Sequence, residues 1–306
     1  MSTRTFTFGR RTVEVGNAAK VLFPDIGLTE GDLADYYARA AETMLPHLAG
    51  RPVSMQRFPQ GIDHRGFYAK EMPGYFPDWI DRVPIAVLES GEEQPQVVIN
   101  KPETLVYLVD QATITPHTWL SRVDDLQRPD KLIFDLDPPQ TFESARVAAR
   151  QLRALLDELD LRAYLMTTGS RGLHVGVPLD GGSDFDAVRA FAQDLADALA
   201  ARHPDQLTTE TRKAQRRGRL FLDYLRNSYA QTSVPPYAVR AKPGAPVATP
   251  LEWAELDDPE LTSQRYTVAN VLKRVAQQGD PWADFYDHGH DLGQARARLE
   301  DLRKRG

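Results

Sequence analysis

The residues best equipped for chemistry in this chain are three aspartates. Asp135 and Asp137 stand two apart in KLIFDLD, residues 131–137, and Asp223 lies in RLFLDYL behind apolar Leu220, Phe221 and Leu222. On a strand, period two puts Asp135 and Asp137 on one face and turns Leu132, Phe134 and Leu136 to the core. Two carboxylates about 7 Å apart on one sheet face repel each other unless a cation lies between or beside them. A hard divalent ion, Mn²⁺ or Mg²⁺, suits such oxygens. A third carboxylate on a neighbouring strand would complete a two-metal site of the kind that holds an attacking hydroxyl and leaving phosphates in line. The other reading is that the pair only caps a strand that Pro138-Pro139 stops at once, leaving it at a sheet edge or mouth. The DxD pattern alone does not choose between them.

A second cluster bears on that choice. TTGSRGLH, residues 167–174, puts hydroxyls, a cation and an imidazole around one tight turn. Its glycines would let backbone N–H groups approach phosphate oxygens. Arg171 can fork onto a phosphate, Thr168 and Ser170 can donate to phosphate or sugar, and His174 could reach a triphosphate. An ordinary hairpin with a structural histidine is the alternative.

Further features fit a polyanionic substrate or a plain solvated surface. RKAQRRGR, residues 212–219, carries five positive charges in eight positions just before the Asp223 strand. It reads as a hairpin over the aspartates or as a solvated loop. Arg240 and Lys242 follow Asp223 by 17 and 19 residues in an extended, proline-rich run, either lining a cleft or exposed. Phe67-Tyr68 in a loop would offer a base-stacking platform or plug a core. Lys20 precedes the first helix, where a phosphate would be welcome.

These residues need a scaffold. The first 16 residues alternate as a strand pair turned at Gly9-Arg10. Thr29 caps a helix with Asp32 three residues on, Leu33, Tyr36, Tyr37, Ala40, Met44 and Leu48 keep helical spacing, and Gly50 closes it. A strand is predicted over 53–58, loops with short strands over 59–95, and a helix over 103–113 behind Pro102. Strand 131–137, helix 142–159, strands 162–167 and 173–178, helix 184–202 and strand 219–225 follow. Residues 233–250, with five prolines, read as extended chain, and the last 45 as mostly helical apart from a Pro-Trp turn near 281. Without a regular βαβ rhythm, this is an α+β fold with mixed sheets, flanking helices and no clean domain boundary.

Composition narrows the classes. With 42% apolar and 26% charged residues, the 306-residue chain has the makings of an ample core. No run approaches the ~20 apolar residues of a membrane span, and the N-terminus has no signal-peptide core. Cysteine is absent, which excludes disulfides, thiolate metal sites and a cysteine nucleophile. A cytoplasmic location fits. A net charge of −6 argues against a protein that merely wraps nucleic acid, and less against an enzyme that holds cations with carboxylates.

Several motifs in fixed order go further: NAAKVLFP at 17–24, GRPVSMQRFPQGID at 50–63 followed by Phe67-Tyr68, PHTW at 116–119, IFDLDPP at 133–139, TTGSRGLHV at 167–175, and RLFLDYLRN at 219–227 followed by SVPPYAVRAKPG at 233–244. Through them nearly the whole chain resembles the polymerase domain of bacterial ligase D, of the archaeo-eukaryotic primase superfamily, which serves non-homologous end joining. The resemblance implies a primase-like catalytic core over 1–306, a single domain of two interleaved α/β modules. It implies a template-directed primase-polymerase that adds nucleotides, ribonucleotides favoured, to DNA 3′ ends or gaps. Asp135, Asp137 and Asp223 would bind two divalent ions, often manganese. Thr168, Arg171, His174 and Arg240 would bind the NTP or dNTP beside Ser170 and Lys242, with His117 near the sugar. Phe67 would stack on the template, with Tyr68 and Arg57 also on DNA, Lys20 would hold a recessed 5′-phosphate, and Arg216 would engage the primer end. Ku and a separate DNA ligase would be partners, in the cytoplasmic nucleoid.

The chain departs from the pattern at Thr168, commonly Ser, at Arg171, commonly Lys, and at Glu30, usually basic. The Glu30 change puts tight 5′-phosphate recognition in question. With no ligase or nuclease module following, the chain resembles a stand-alone form or an excised domain. A non-catalytic DNA-end-binding scaffold, or a dedicated primase with little gap filling, are the alternatives.

Overall fold

The computed structural model describes residues 2–86 and 91–305. They fall in two compact units, each assembled from three stretches: unit 1 from Met1–Asp124, Thr232–Ala248 and Tyr266–Gly279, and unit 2 from Asp125–Gln231, Thr249–Arg265 and Asp280–Gly306. The chain passes between them five times, so no linker marks a boundary. Among the described residues no helix is long and apolar enough to cross a membrane.

In chain order the strands are β1 (Arg4–Phe8), β2 (Arg11–Val15), β3 (Val21–Phe23), β4 (Leu28–Thr29), β5 (Pro52–Arg57), β6 (Phe67–Ala69), β7 (Arg82–Ala86), β8 (Glu93–Val98), β9 (Thr113–Trp119), β10 (Ser121–Arg122), β11 (Asp125–Pro129), β12 (Lys131–Asp137), β13 (Tyr164–Thr167), β14 (Leu173–Pro178), β15 (Leu207–Thr208), β16 (Leu220–Asp223), β17 (Thr232–Ser233) and β18 (Thr249–Leu251). The helices are α1 (Glu30–Leu48), α2 (Pro102–Asp110), α3 (Phe142–Glu158), α4 (Phe185–Arg202), α5 (Val271–Gln278) and α6 (Leu292–Arg305).

Unit 1 holds an antiparallel sheet in the order β17-β9-β5-β8-β7, with β6 added on β5. Helix α1 starts where its sequence says, because Thr29 and Asp32 close a reciprocal capping box. Its Tyr37 hydroxyl donates to the Ile114 carbonyl at 2.6 Å and accepts from the Val239 N–H at 3.0 Å, fastening the helix to β9 and to the returning segment. The helix predicted to run to 113 stops at Asp110, and Thr113–Trp119 is a fully buried strand instead. Ala112 makes the break by taking φ +61°, a conformation a sequence reading expects of glycine.

Unit 2 is built on a six-stranded sheet, β15-β16-β12-β14-β13-β18. The aspartate strand β12 is therefore interior, and Asp135 and Asp137 lie at its C-terminal mouth rather than at a sheet edge. Helices α3 and α4 pack on this sheet, and Leu132, Phe134 and Leu136 are buried as expected. Strand β16 pairs with β12 only over Asp135–Asp137. Beyond that point the Asn227 carboxamide takes the place of a strand, accepting from the Ile133 N–H and donating to the Ile133 and Tyr224 carbonyls, all at 2.8–2.9 Å. Asn227 is fully buried. The basic stretch 212–219 is not a hairpin. Strands β15 and β16 run parallel, so the chain between them is a crossover loop with one short 3-10 turn at Lys213–Gln215.

Candidate active site

Strand register assembles the site in unit 2. Asp135 is directly opposite His174 on β14 and directly opposite Asp223 on β16, so His174, Asp135 and Asp223 form one row across three neighbouring strands. Asp137, two residues on, shares their face at the mouth. The third carboxylate expected on a neighbouring strand is present.

Electrostatics follow from that crowding. Asp137 keeps an exposed side, yet loss of hydration and then the adjacent Asp135 push its carboxyl up, while Arg171, His174 and Arg226 pull it down. Burial pushes Asp223 up, as does Asp135; the Leu225 N–H, donating to Asp223 Oδ1 at 2.9 Å, and Arg226 and Arg216 oppose the rise. His174 Nε2 lies 3.6 Å from Asp135 Oδ1, and its Nδ1 is buried with no hydrogen-bond partner among the described residues. Mutual repulsion of this sort is relieved by a cation. Among the described residues no group of three or more His, Cys, Asp or Glu side chains is gathered tightly enough to hold a metal ion by itself. Carboxylate oxygens of this kind are the donors that hard divalent cations take, commonly one or two per ion, with other oxygens filling the rest of the shell.

The turn between β13 and β14 is the expected antiparallel connection, but its parts are used differently from the expectation. Thr168 is buried, and its hydroxyl accepts from the Ser170 and Gly172 N–H groups at 3.3 Å, organising the turn from within. Gly172 is there for packing: a Cβ on it would stand 2.1 Å from the Leu136 carbonyl oxygen. Ser263 donates to the Gly172 carbonyl and Gln264 to that of Ser170, both at 2.8 Å, buttressing the turn from a distant stretch. Arg171 is held by the Pro138 carbonyl at 2.9 Å. Arg216 stays on its own loop, bonded to the Glu210 and Thr211 carbonyls with its guanidinium 4.1 Å from the Phe221 ring centre.

Unit 1 carries the remaining predicted residues. Phe67 and Tyr68 are both exposed, but they do not make one platform. Adjacent residues on β6 point to opposite faces: Phe67 pairs across to Arg57, whose guanidinium lies 5.7 Å from its ring, while Tyr68 meets His117 edge-on at 5.4 Å. Arg57 also donates to the Gln111 carbonyl and to the Tyr75 hydroxyl. Arg240 and Lys242 sit at a tight turn rather than in extended chain, with the Arg240 N–H on the Pro246 carbonyl and the Lys242 N–H on the Arg240 carbonyl, both at 2.8 Å. Lys20 Nζ donates to the Pro59 carbonyl and lies 3.8 Å from Glu30 Oε2. Glu30 is only 3% exposed, and burial pushes its carboxyl up to about 7, with Lys20 pulling it down and Asp110 pushing it further up.

Sequence reasoning missed Arg226, Asn227, Ser263, Gln264 and Tyr75. Arg226 and Asn227 had a signal, since they end the RLFLDYLRN motif. Ser263 and Gln264 had none, because only the fold brings them to the turn.

A family model described as the primase-polymerase domain of LigD matches residues 29–282. A multifunctional non-homologous end joining protein LigD of Mycolicibacterium smegmatis is 34% identical over 272 residues, covering 88% of this chain and 35% of that protein. A bifunctional non-homologous end joining protein LigD of Bacillus subtilis is 30% identical over 289 residues, covering 94% of this chain and 46% of that protein. This chain therefore spans between a third and a half of those relatives' lengths. The solved polymerase domain of Mycobacterium tuberculosis ligase D, in complex with DNA, superposes with a TM-score of 0.85 at 33% identity, covering 91% of this chain and 99% of that one.

Proposed function

Because the chain belongs to the LigD primase-polymerase domain family, we propose that it is a template-directed nucleotidyltransferase that extends DNA 3′ ends and fills gaps in break repair, favouring ribonucleotides. The observation that carries this is the row His174–Asp135–Asp223 with Asp137 beside it at the open end of β12. Asp135, Asp137 and Asp223 would hold two Mn²⁺ or Mg²⁺ ions. Such ions lower the pKa of a primer 3′-hydroxyl and neutralise charge on a triphosphate.

The chain's own residues supply position. Arg171, pinned by the Pro138 carbonyl, presents its remaining N–H groups to phosphate. Thr168 holds the turn that aims it. His174 offers an imidazole beside Asp135, and Ser170, His117, Arg240 and Lys242 are assigned to the nucleotide. Phe67 and Arg57 present a ring and a cation to DNA, Arg216 is assigned to the primer end, and Lys20 to a 5′-phosphate. Glu30, close to Lys20, makes that last contact weak. Ku and a separate ligase are the partners the reading implies.

Primer extension tests it, with Mn²⁺ and each NTP or dNTP on a 5′-phosphorylated gap and on an open end. The expected result is incorporation favouring ribonucleotides, lost in Asp135→Ala. DNA binding without incorporation would instead make the chain a scaffold, and synthesis only without a primer would make it a dedicated primase.

A further inference from the structure

Three arginines act on the aspartates, and they are held differently. Arg171 is tied to a backbone carbonyl, and Arg216 to two carbonyls and an aromatic ring. Arg226 has one partner among the described residues: its Nε lies 3.8 Å from Asp135 Oδ2. That distance is a loose ion pair and not a charge-assisted hydrogen bond. The side chain is 45% exposed, so water can replace the contact at little cost. The backbone on both sides is fixed. The Leu225 N–H is bonded to Asp223, and Asn227 is locked onto β12 and Tyr224. Between these anchors the exposed, loosely paired Arg226 side chain is rooted three residues past Asp223. Its charge also favours the ionised forms of Asp137 and Asp223.

We propose that Arg226 is the resident counter-ion of the aspartate row: its guanidinium screens Asp135 before substrate arrives, then turns to the phosphates of the incoming triphosphate. The carboxylates accept divalent cations strongly only when the triphosphate is there to draw the guanidinium away. Metal and nucleotide binding are thereby coupled through one side chain, since a cation beside Asp135 opposes a second cation and attracts a polyanion. This inference rests on the assignment of the aspartates as the cation site.

Mn²⁺ titration of the full chain, followed by the electron paramagnetic resonance of the free ion, tests it without catalysis. Wild type, Arg226→Gln, Arg226→Lys and Asp135→Ala are compared with and without a non-hydrolysable ATP analogue. Without nucleotide, Arg226→Gln should bind Mn²⁺ about threefold to tenfold more tightly than wild type, the scale of one exposed ion pair acting on a divalent ion. Arg226→Lys should stay near wild type. The analogue should tighten Mn²⁺ binding more in wild type than in Arg226→Gln. Equal or weaker Mn²⁺ binding by Arg226→Gln, with Asp135→Ala still abolishing it, overturns the role of Arg226 alone. Mn²⁺ binding unaffected by Asp135→Ala overturns the cation site, and this proposal falls with it.

Discussion

Glu30→Gln should stabilise the protein at alkaline pH and leave it unchanged in acid. Glu30 is 3% exposed at the start of α1, and burial raises its carboxyl from 4.5 to about 7. Because the folded value lies above the unfolded one, the folded state keeps its proton longer. The stability this provides is complete below about pH 4.5 and is lost as the pH rises through about 7. Moving a carboxyl from 4.5 to about 7 corresponds to about 3 kcal/mol. The attraction of Lys20 is already contained in that figure. Glutamine has the shape of the protonated acid and does not titrate. At pH 8 the variant should therefore exceed wild type by up to about 3 kcal/mol, or about 5 °C in Tm for a chain this long. Below pH 4.5 the two should coincide. Urea or thermal melts across pH 4–8 measure this directly. Parallel pH profiles, or a variant less stable than wild type at pH 8, would show that burial does not hold Glu30 protonated.

Asn227→Ala removes the carboxamide that completes β12 and leaves the Ile133 N–H and C=O without their partner; unfolding free energy should drop by about 3 kcal/mol, read from denaturant midpoints. Phe67 and Tyr68 lie on opposite faces of β6, so Phe67→Ala and Tyr68→Ala should weaken DNA binding independently, with a coupling below about 0.5 kcal/mol in a double-mutant cycle. Strong coupling in fluorescence-anisotropy titrations would restore the shared platform.

Local signals carried much of the fold. The Thr29–Asp32 box, the apolar run ending in Asp135 and Asp137, and the glycine turn before His174 each depend on neighbours within a few residues, and each formed as expected. The early end of α2 is local, since Ala112 takes φ +61°, and the other failures come from pairing over long separations. Strand β9 is buried along its whole length, so its pattern has no alternation, and it contains Pro116; its place is set by β5 and β17. The parallel pairing of β15 with β16 spans only two residue pairs and has no turn signature, so the basic loop before Asp223 read as a hairpin. The three aspartates were visible as candidates from their residue type. That Asp223 stands opposite Asp135, and that Arg226 reaches the same carboxylate, depends on sheet register and turn geometry. Arg226 was one cation among many in the sequence.

Asp223→Asn separates a chemical role for the aspartate row from a structural one. Asparagine can still accept the Leu225 N–H, so the turn survives. Burial and Asp135 raise the Asp223 carboxyl, so its ionised form costs folding free energy at pH above its folded value. Single-turnover nucleotide addition and thermal melts on the same preparation at pH 8 read both sides. Addition should fall by a factor on the order of 10³ or more, with a melting temperature equal to or above wild type. Addition at wild-type rates would rule out the chemical role, and a clear fall in melting temperature would point to a structural one.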